Sequence, residues 1–265
     1  MKMQALQELG YPGERDYRAG SPHLLHWQLY DRLSTVLRDT IAAVIDAGLP
    51  PTVLEIGAGH GALTEPALAA GAQVTATDMS RPSVERLAER FRTNPAFRAV
   101  LDLDGALSAL GDEQFSMVVC SSVLHHIPDY LAFLKGPMIS HVARGGAFLS
   151  IQDPMWYPSV GQITHRLDRW GFLAWRVTQG SYRQGFATIR RRLLGLYDEA
   201  NPSDMVEYHV VRQGVDQAAI EQLLAQSFEL VELKTYWSAV AAPVQRIGEK
   251  IGRPNTFAFC ALRRC

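Results

Sequence analysis

The segment Val53-Leu54-Glu55-Ile56-Gly57-Ala58-Gly59-His60-Gly61 passes from an apolar run directly into three glycines spaced one residue apart. Val53 to Ile56 has the pattern of a strand buried on both faces, and Ala62 to Ala70 is compatible with a helix. The order is therefore strand, tight turn, helix. Glycine suits the turn because it reaches backbone angles other residues avoid and has no Cβ to hold a ligand away. A crevice at the carboxyl end of a parallel strand is where open α/β sheets bind nucleotide-like ligands. Gly57 to Ala62 also fits the dinucleotide pattern G-x-G-x-x-A. Glu55 argues against that ligand, because a carboxylate two residues before the first glycine would repel a pyrophosphate and attract a cation.

On these residues the segment resembles motif I of class I S-adenosylmethionine-dependent methyltransferases, whose ligand carries a sulfonium and an ammonium group. The resemblance implies that Glu55 and the turn through Gly57, Ala58, Gly59 and Gly61 hold the methionine end of S-adenosylmethionine.

Downstream, Gln73 to Thr77 reads as a second strand ending in Asp78, about 20 residues past the glycines, where a carboxylate can accept hydrogen bonds from both ribose hydroxyls. Met79 then lies where a side chain can cover the adenine. Ser80 and Pro82 open a helix whose buried stripe is Val84, Leu87, Ala88 and Phe91. A third strand, Arg98 to Leu103, leads to Asp104-Gly105. By the family's spacing the resemblance gives Asp104 the adenine contact; Asp102 faces the same side of the strand and stays an alternative, as does a turn aspartate without a ligand.

The fourth strand, Phe115 to Ser121, precedes Leu124-His125-His126, similar to the Leu-His-His run of small-molecule methyltransferases. Phe115-Ser116 departs from the family's usual Phe-Asp, a difference that concerns packing. With Gly105 and Ser121 the cofactor set implied by the resemblance is complete. Residues 130 to 143 read as a helix interrupted at Gly136-Pro137, followed by a fifth strand, Ala147 to Gln152, ending in Asp153. Ser227 to Trp237 and Thr256 to Leu262 alternate as strands. The resemblance implies a sixth strand and a reversed seventh, giving a Rossmann-like α/β fold with a seven-stranded, mostly parallel sheet and helices on both faces. Motifs support it over residues 50 to 153, pattern alone over 214 to 265.

Upstream, Gly10, Pro12, Gly13 and Gly20 mark an irregular lead-in, and His23 to Ala47 repeats apolar residues at helical spacing. Residues 1 to 48 form an N-terminal arm and helix. Tyr11, Tyr17, His23 and His26 are either lid residues, as in the family, or surface and packing residues of that arm.

About 75 residues separate strands five and six, more than one crossover helix needs. Residues 155 to 212 are read as an inserted α-helical substrate lid within a single domain of residues 1 to 265. Its aromatics, among them Trp156 and Tyr157, serve as core or as a pocket. Seven arginines stand against one acid, Asp168, between His165 and Arg192, consistent with a solvated face or with an acidic acceptor.

Methyl transfer requires an acceptor held collinear in a dry site and, for a hydroxyl, removal of its proton. Imidazole titrates near neutral pH, so His125, His126 and His209 are the base candidates, with Asp153 as the orienting group. Adjacent helical residues diverge by about 100°, which leaves one of His125 and His126 facing the acceptor. Trp156, Tyr157, Tyr208 and Arg212 are the candidate acceptor contacts.

A composition 47% hydrophobic and 20% charged is that of a globular protein. The net charge of -1 gives no basic face for nucleic acid, and three cysteines without a C-x-x-C pair give no metal centre. No stretch approaches the length of a membrane span, and the N-terminus lacks a leader pattern, so a cytoplasmic protein is expected. Its oligomeric state is open, a homodimer included. The resemblance implies a methyltransferase of a small or medium organic molecule, secondary metabolites included, with O-methylation favoured. The rival readings are an NAD(P)-dependent oxidoreductase and a catalytically silent cofactor-binding scaffold.

Overall fold

The computed structural model describes residues 21–168, 171 and 213–264. At its centre lies a seven-stranded sheet in the order β3-β2-β1-β4-β5-β7-β6. The strands are β1 (Thr52–Ile56), β2 (Gln73–Asp78), β3 (Phe97–Leu101), β4 (Phe115–Ser121), β5 (Val142–Pro154), β6 (Phe228–Tyr236) and β7 (Thr256–Arg263). The first five pair in parallel, and β7 is antiparallel to both β5 and β6. The chain builds outward from β1 to β3, then returns to lay β4 on the other side of β1. That reversal opens a crevice beyond the carboxyl ends of β1 and β4.

Both faces of the central strands are covered, which is why β4 is buried at every position but its last. Leu54, Ile56, Val118, Cys120 and Phe148 face one layer with Phe257 and Phe259, against α7 (Gln217–Leu224). Val53, Met117, Val119, Leu149 and Ile151 face the other, against α2 (Trp27–Asp46) and α3 (Thr64–Ala69). Helix α2 presents Leu29, Leu33, Leu37, Ile41 and Val44 at spacings of three and four, all buried. Each such side chain contributes about 1.5–3 kcal/mol of transfer free energy. At the edge, β6 is buried only at Phe228 and half-buried at Val231, Leu233 and Tyr236, and its exposed Glu229, Glu232 and Lys234 discourage further strand pairing.

Several local expectations are corrected. The first helix is not continuous: α1 (Pro22–Leu25) stops at His26, which is extended at φ -109° and ψ 103° before α2 begins. There His26 Nε2 lies 2.9 Å from the Ala239 carbonyl oxygen, a tertiary contact invisible to periodicity. Between α5 (Tyr130–Phe133) and α6 (Ile139–His141) the chain absorbs Pro137 as a π turn, Leu134–Met138, because proline has no N–H for the α-helical bond. β5 starts at Val142 rather than Ala147. In α4 (Arg81–Arg90) the buried residues are Ser83 and Leu87, while Ala88 is exposed. The last helix is α8 (Ala242–Ile251). Of the expected insertion, 169, 170 and 172–212 lie outside the described residues, as do Tyr11 and Tyr17.

Candidate active site

Gly57, Gly59 and Gly61 take φ values of 64°, 55° and 76°. All lie in the left-handed region that disfavours a side chain. A Cβ on Gly57 would stand 2.7 Å from Val123 Cγ2, and one on Gly61 2.8 Å from Leu87 Cδ2; a Cβ on Gly59 would meet nothing within 4 Å. Two glycines thus permit packing, and the middle one leaves open space over the turn. Beneath them Glu55 is buried and accepts a hydrogen bond from the Thr64 hydroxyl at the start of α3. Burial pushes its carboxyl up to about 7; the Asp78 charge adds to this, while the Thr64 hydroxyl and the Leu63 backbone N–H oppose it. A cation above the turn would draw the value back down.

Asp78 closes β2. Its Oδ2 accepts the Gly59 N–H at 2.8 Å and its Oδ1 accepts the Ser80 N–H at 2.8 Å. Burial raises its pKa against those two backbone donors. Each oxygen keeps acceptor capacity for a ribose hydroxyl. Ser80 is the N-cap of α4 without a capping side-chain bond. Met79 borders the next turn, its Sδ 3.4 Å from where a Cβ on Gly105 would lie. The two aspartates beyond β3 differ in surroundings. Asp102 is buried, accepts the N–H groups of Gly105 and Leu107, and is pushed up to about 6 by burial and then by Asp104. Asp104 is exposed and accepts the Ala106 N–H; the Ser108 hydroxyl and that N–H hold it down to about 2. Asp102 therefore shapes the turn, and Asp104 offers the accessible carboxylate.

At the end of β4, Ser121 Oγ is shielded from solvent and makes no hydrogen bond. Ser122 follows in a left-handed conformation, φ 60°. The next turn is a single 3-10 turn, Leu124–His126. His125 Nδ1 lies 2.8 Å from Asp153 Oδ1, which also accepts the His125 backbone N–H at 3.1 Å. Ser150 Oγ donates to the other carboxylate oxygen at 3.2 Å. Asp153 is fully buried and the His125 side chain is 10% exposed. A carboxylate only accepts, so His125 donates from Nδ1 and Nε2 is its basic nitrogen. The expected divergence of the two histidines does not occur: their ring centroids lie 3.9 Å apart, with the planes tilted by 43°.

Trp156 is 39% exposed, and its backbone N–H donates to Gln217 Oε1. The Tyr157 ring lies 5.0 Å from that of His165. Tyr208, His209 and Arg212 fall outside the described residues. Of the arm candidates, His23 is buried and desolvation lowers its pKa to about 4, while His26 meets Ala239. Sequence reasoning missed Thr64, Ser150 and Tyr30, whose hydroxyl donates to the Ala62 carbonyl in the glycine turn at 3.1 Å. A lone hydroxyl leaves no signal in a sequence until its partner is placed. Among the described residues no group of three or more His, Cys, Asp or Glu side chains could hold a metal ion, and no helix is long and apolar enough to cross a membrane.

Residues 54–148 match a family model described as a methyltransferase domain. Among curated proteins, CymA of Salinispora arenicola, a probable non-canonical nonribosomal peptide synthetase, is 37% identical over 101 residues, which are 37% of this chain and 1% of that protein. The ubiquinone biosynthesis O-methyltransferase of Xanthomonas campestris pv. campestris is 31% identical over 121 residues, 44% of this chain and 49% of that enzyme. The chain thus aligns with about half the length of that O-methyltransferase and a far smaller share of the synthetase. The structure of the plantazolicin methyltransferase BpumL in complex with SAH matches with a TM-score of 0.57 at 10% identity, over 99% of this chain and 95% of that one. At such identity the likeness is one of fold. Fold and matched segment agree: residues 54–148 are similar to a methyltransferase domain, and the sheet around them has the fold of the BpumL methyltransferase structure.

Proposed function

We propose that this protein transfers a methyl group from S-adenosylmethionine to a hydroxyl of a small or medium-sized organic molecule, with His125 as the proton acceptor. The observation that carries this reading is the buried His125–Asp153 pair, 2.8 Å apart, which follows β4 at the carboxyl edge of the sheet. S-adenosylmethionine supplies, when bound, a methyl group activated by its sulfonium. Glu55, Gly57, Ala58, Gly59 and Gly61 would hold its cationic end, Asp78 the ribose, and Met79, Asp104 and Gly105 the adenine. Three features fit such a ligand: the buried Glu55 carboxyl, raised by burial beneath the turn, the open side of Gly59, and the unpaired Ser121 hydroxyl. Asp153 fixes the tautomer of His125, and Nε2 takes the proton from the acceptor oxygen as that oxygen is methylated.

The segment 155–212 is proposed as the substrate lid, with Trp156, Tyr157, Tyr208 and Arg212 as candidate acceptor contacts. His126 and His209 are the alternative bases; His125 is preferred because Asp153 holds it. A secondary metabolite is the favoured acceptor, a reading supported by the synthetase relative, and the protein is read as cytoplasmic. The β7 strand inserted antiparallel between β5 and β6 is not the second nucleotide-binding half that the oxidoreductase reading requires.

Calorimetric titration with S-adenosylmethionine, its demethylated product, NAD and NADH tests the cofactor, and Asp78→Ala should weaken the adenosyl ligands. A panel of phenols, carboxylates, amines and acidic carbon compounds, followed by methyl incorporation, tests the acceptor. Binding of NADH alone, or methylation confined to amines, would overturn the proposal.

A further inference from the structure

Along β5 the side chains alternate: Phe148 and Ser150 point to the α7 layer, Leu149 and Ile151 to the α2 layer. Strict alternation would send Asp153 the way of Ile151, away from His125. It does not go there. Ser150 Oγ donates to Asp153 Oδ2, so the two share a side three residues apart. The reason is Gln152, whose φ is 69° and which sits at a register shift: Ile151 pairs with Ala258 and Asp153 with Phe257. This extra residue is a bulge that turns the strand over and re-aims the carboxylate.

A left-handed backbone is disfavoured for a residue with a side chain, so Gln152 must be held there. Its partners all come from the end of β6 and the residues after it. The Gln152 backbone N–H donates to Tyr236 Oη at 2.9 Å, and the Tyr236 hydroxyl donates to Gln152 Oε1 at 3.2 Å. Gln152 Nε2 donates to Ser238 Oγ at 2.5 Å. Burial, then the Asp153 charge, push the phenol above its ordinary range, so it stays a donor at neutral pH. The network continues: the Ser238 N–H donates to Asn255 Oδ1, and Asn255 Nδ2 donates to Asp168 Oδ1 of the expected insertion.

We propose that Tyr236 and Gln152 act as a positioning pair: by locking the left-handed turn they bring Asp153 to His125 and so set which nitrogen of His125 is basic. This rests on the reading of His125 as the proton acceptor. Neither residue touches the acceptor; both act through Asp153.

The test is nitrogen NMR of the His125 imidazole in the ligand-free, isotope-labelled protein, together with kcat and KM for methyl transfer. Tyr236→Phe and Gln152→Ala should each convert a single Nδ1–H tautomer into a mixture and lower kcat about tenfold or more, with KM for S-adenosylmethionine changing less than about twofold. Gln152→Gly, which adopts the left-handed angle without penalty, should lie closer to wild type than Gln152→Ala in both readouts. A wild-type His125 spectrum in both Tyr236→Phe and Gln152→Ala would overturn the proposal. A changed tautomer with unchanged turnover would uphold the positioning and instead remove His125 from the base role. Should Tyr236→Phe fail to fold, the alanine and glycine pair at 152 still decides the matter.

Discussion

Glu55 carries a burial cost that the cation of the proposed ligand would relieve. The unfolded chain titrates it near 4.5 and the folded chain at about 7. Between those values the folded state keeps a proton that the unfolded state has lost, so stability falls as pH rises through the window. Glu55→Gln removes this effect and keeps an acceptor for Thr64. Without ligand the variant should be more stable than wild type at about pH 8 by about 3 kcal/mol, and close to it at about pH 4.5. Urea melts at both values check this. Calorimetry at the higher pH should show affinity for S-adenosylmethionine reduced about tenfold. Unaltered affinity would remove Glu55 from the cofactor site. At His125 the expectation is kinetic: alanine there should lower kcat by about 10²–10⁴ with the cofactor Kd unchanged, and Asp153→Asn should follow it because the amide no longer selects Nδ1–H.

The glycine turn separates packing from binding within one element. Gly57→Ala forces a Cβ to 2.7 Å from Val123 at φ 64°, whereas Gly59→Ala strains only the backbone, at φ 55°. Gly59→Ala should cost about 1 kcal/mol of stability and most of the cofactor affinity. Gly57→Ala should cost more in stability than Gly59→Ala. Denaturant melts set beside calorimetric titrations read both; equal melts would mean that Val123 yields. This turn was legible in the sequence because a positive φ, repeated at alternate residues, writes itself as glycine. Asp78 was legible for a similar reason, since a strand end fixes its place. The link from Asp153 to His125 could be named as a pairing, yet the alternation of β5 argued against the geometry that produces it. The left-handed residue there is glutamine, held by a tyrosine 84 positions away. The break at His26 was hidden likewise, being set by a carbonyl from the loop after β6.

Across the molecule, acidic groups with raised pKa values gather where the sheet's parallel strands end. Burial lifts Glu55 to about 7, Asp102 and Asp168 to about 6, and Asp78 in the same direction. Each makes the folded state bind protons more tightly than the unfolded one, so each makes stability fall with rising pH, beginning at ordinary carboxyl values and ending at its own raised value. His23 works the other way. Its pKa drops from 6.5 to about 4 on burial, so from about pH 4 to 6.5 the unfolded state holds the extra proton and stability rises with pH. Four carboxyls outweigh one imidazole in their shared window. The ligand-free protein should therefore melt at a lower temperature at about pH 7.5 than at about pH 5, and His23→Leu should steepen that fall. Saturating S-adenosylmethionine adds RT ln(1 + [L]/Kd), a gain that on the proposed reading should be larger at the higher pH, where Glu55 is ionised. Scanning calorimetry across this range, with and without ligand, measures both slopes. A ligand-free melting temperature that rises steadily from about pH 5 to 7.5 would mean that the carboxyls at the strand ends are solvated rather than buried, and that this edge of the sheet is not a closed cation site.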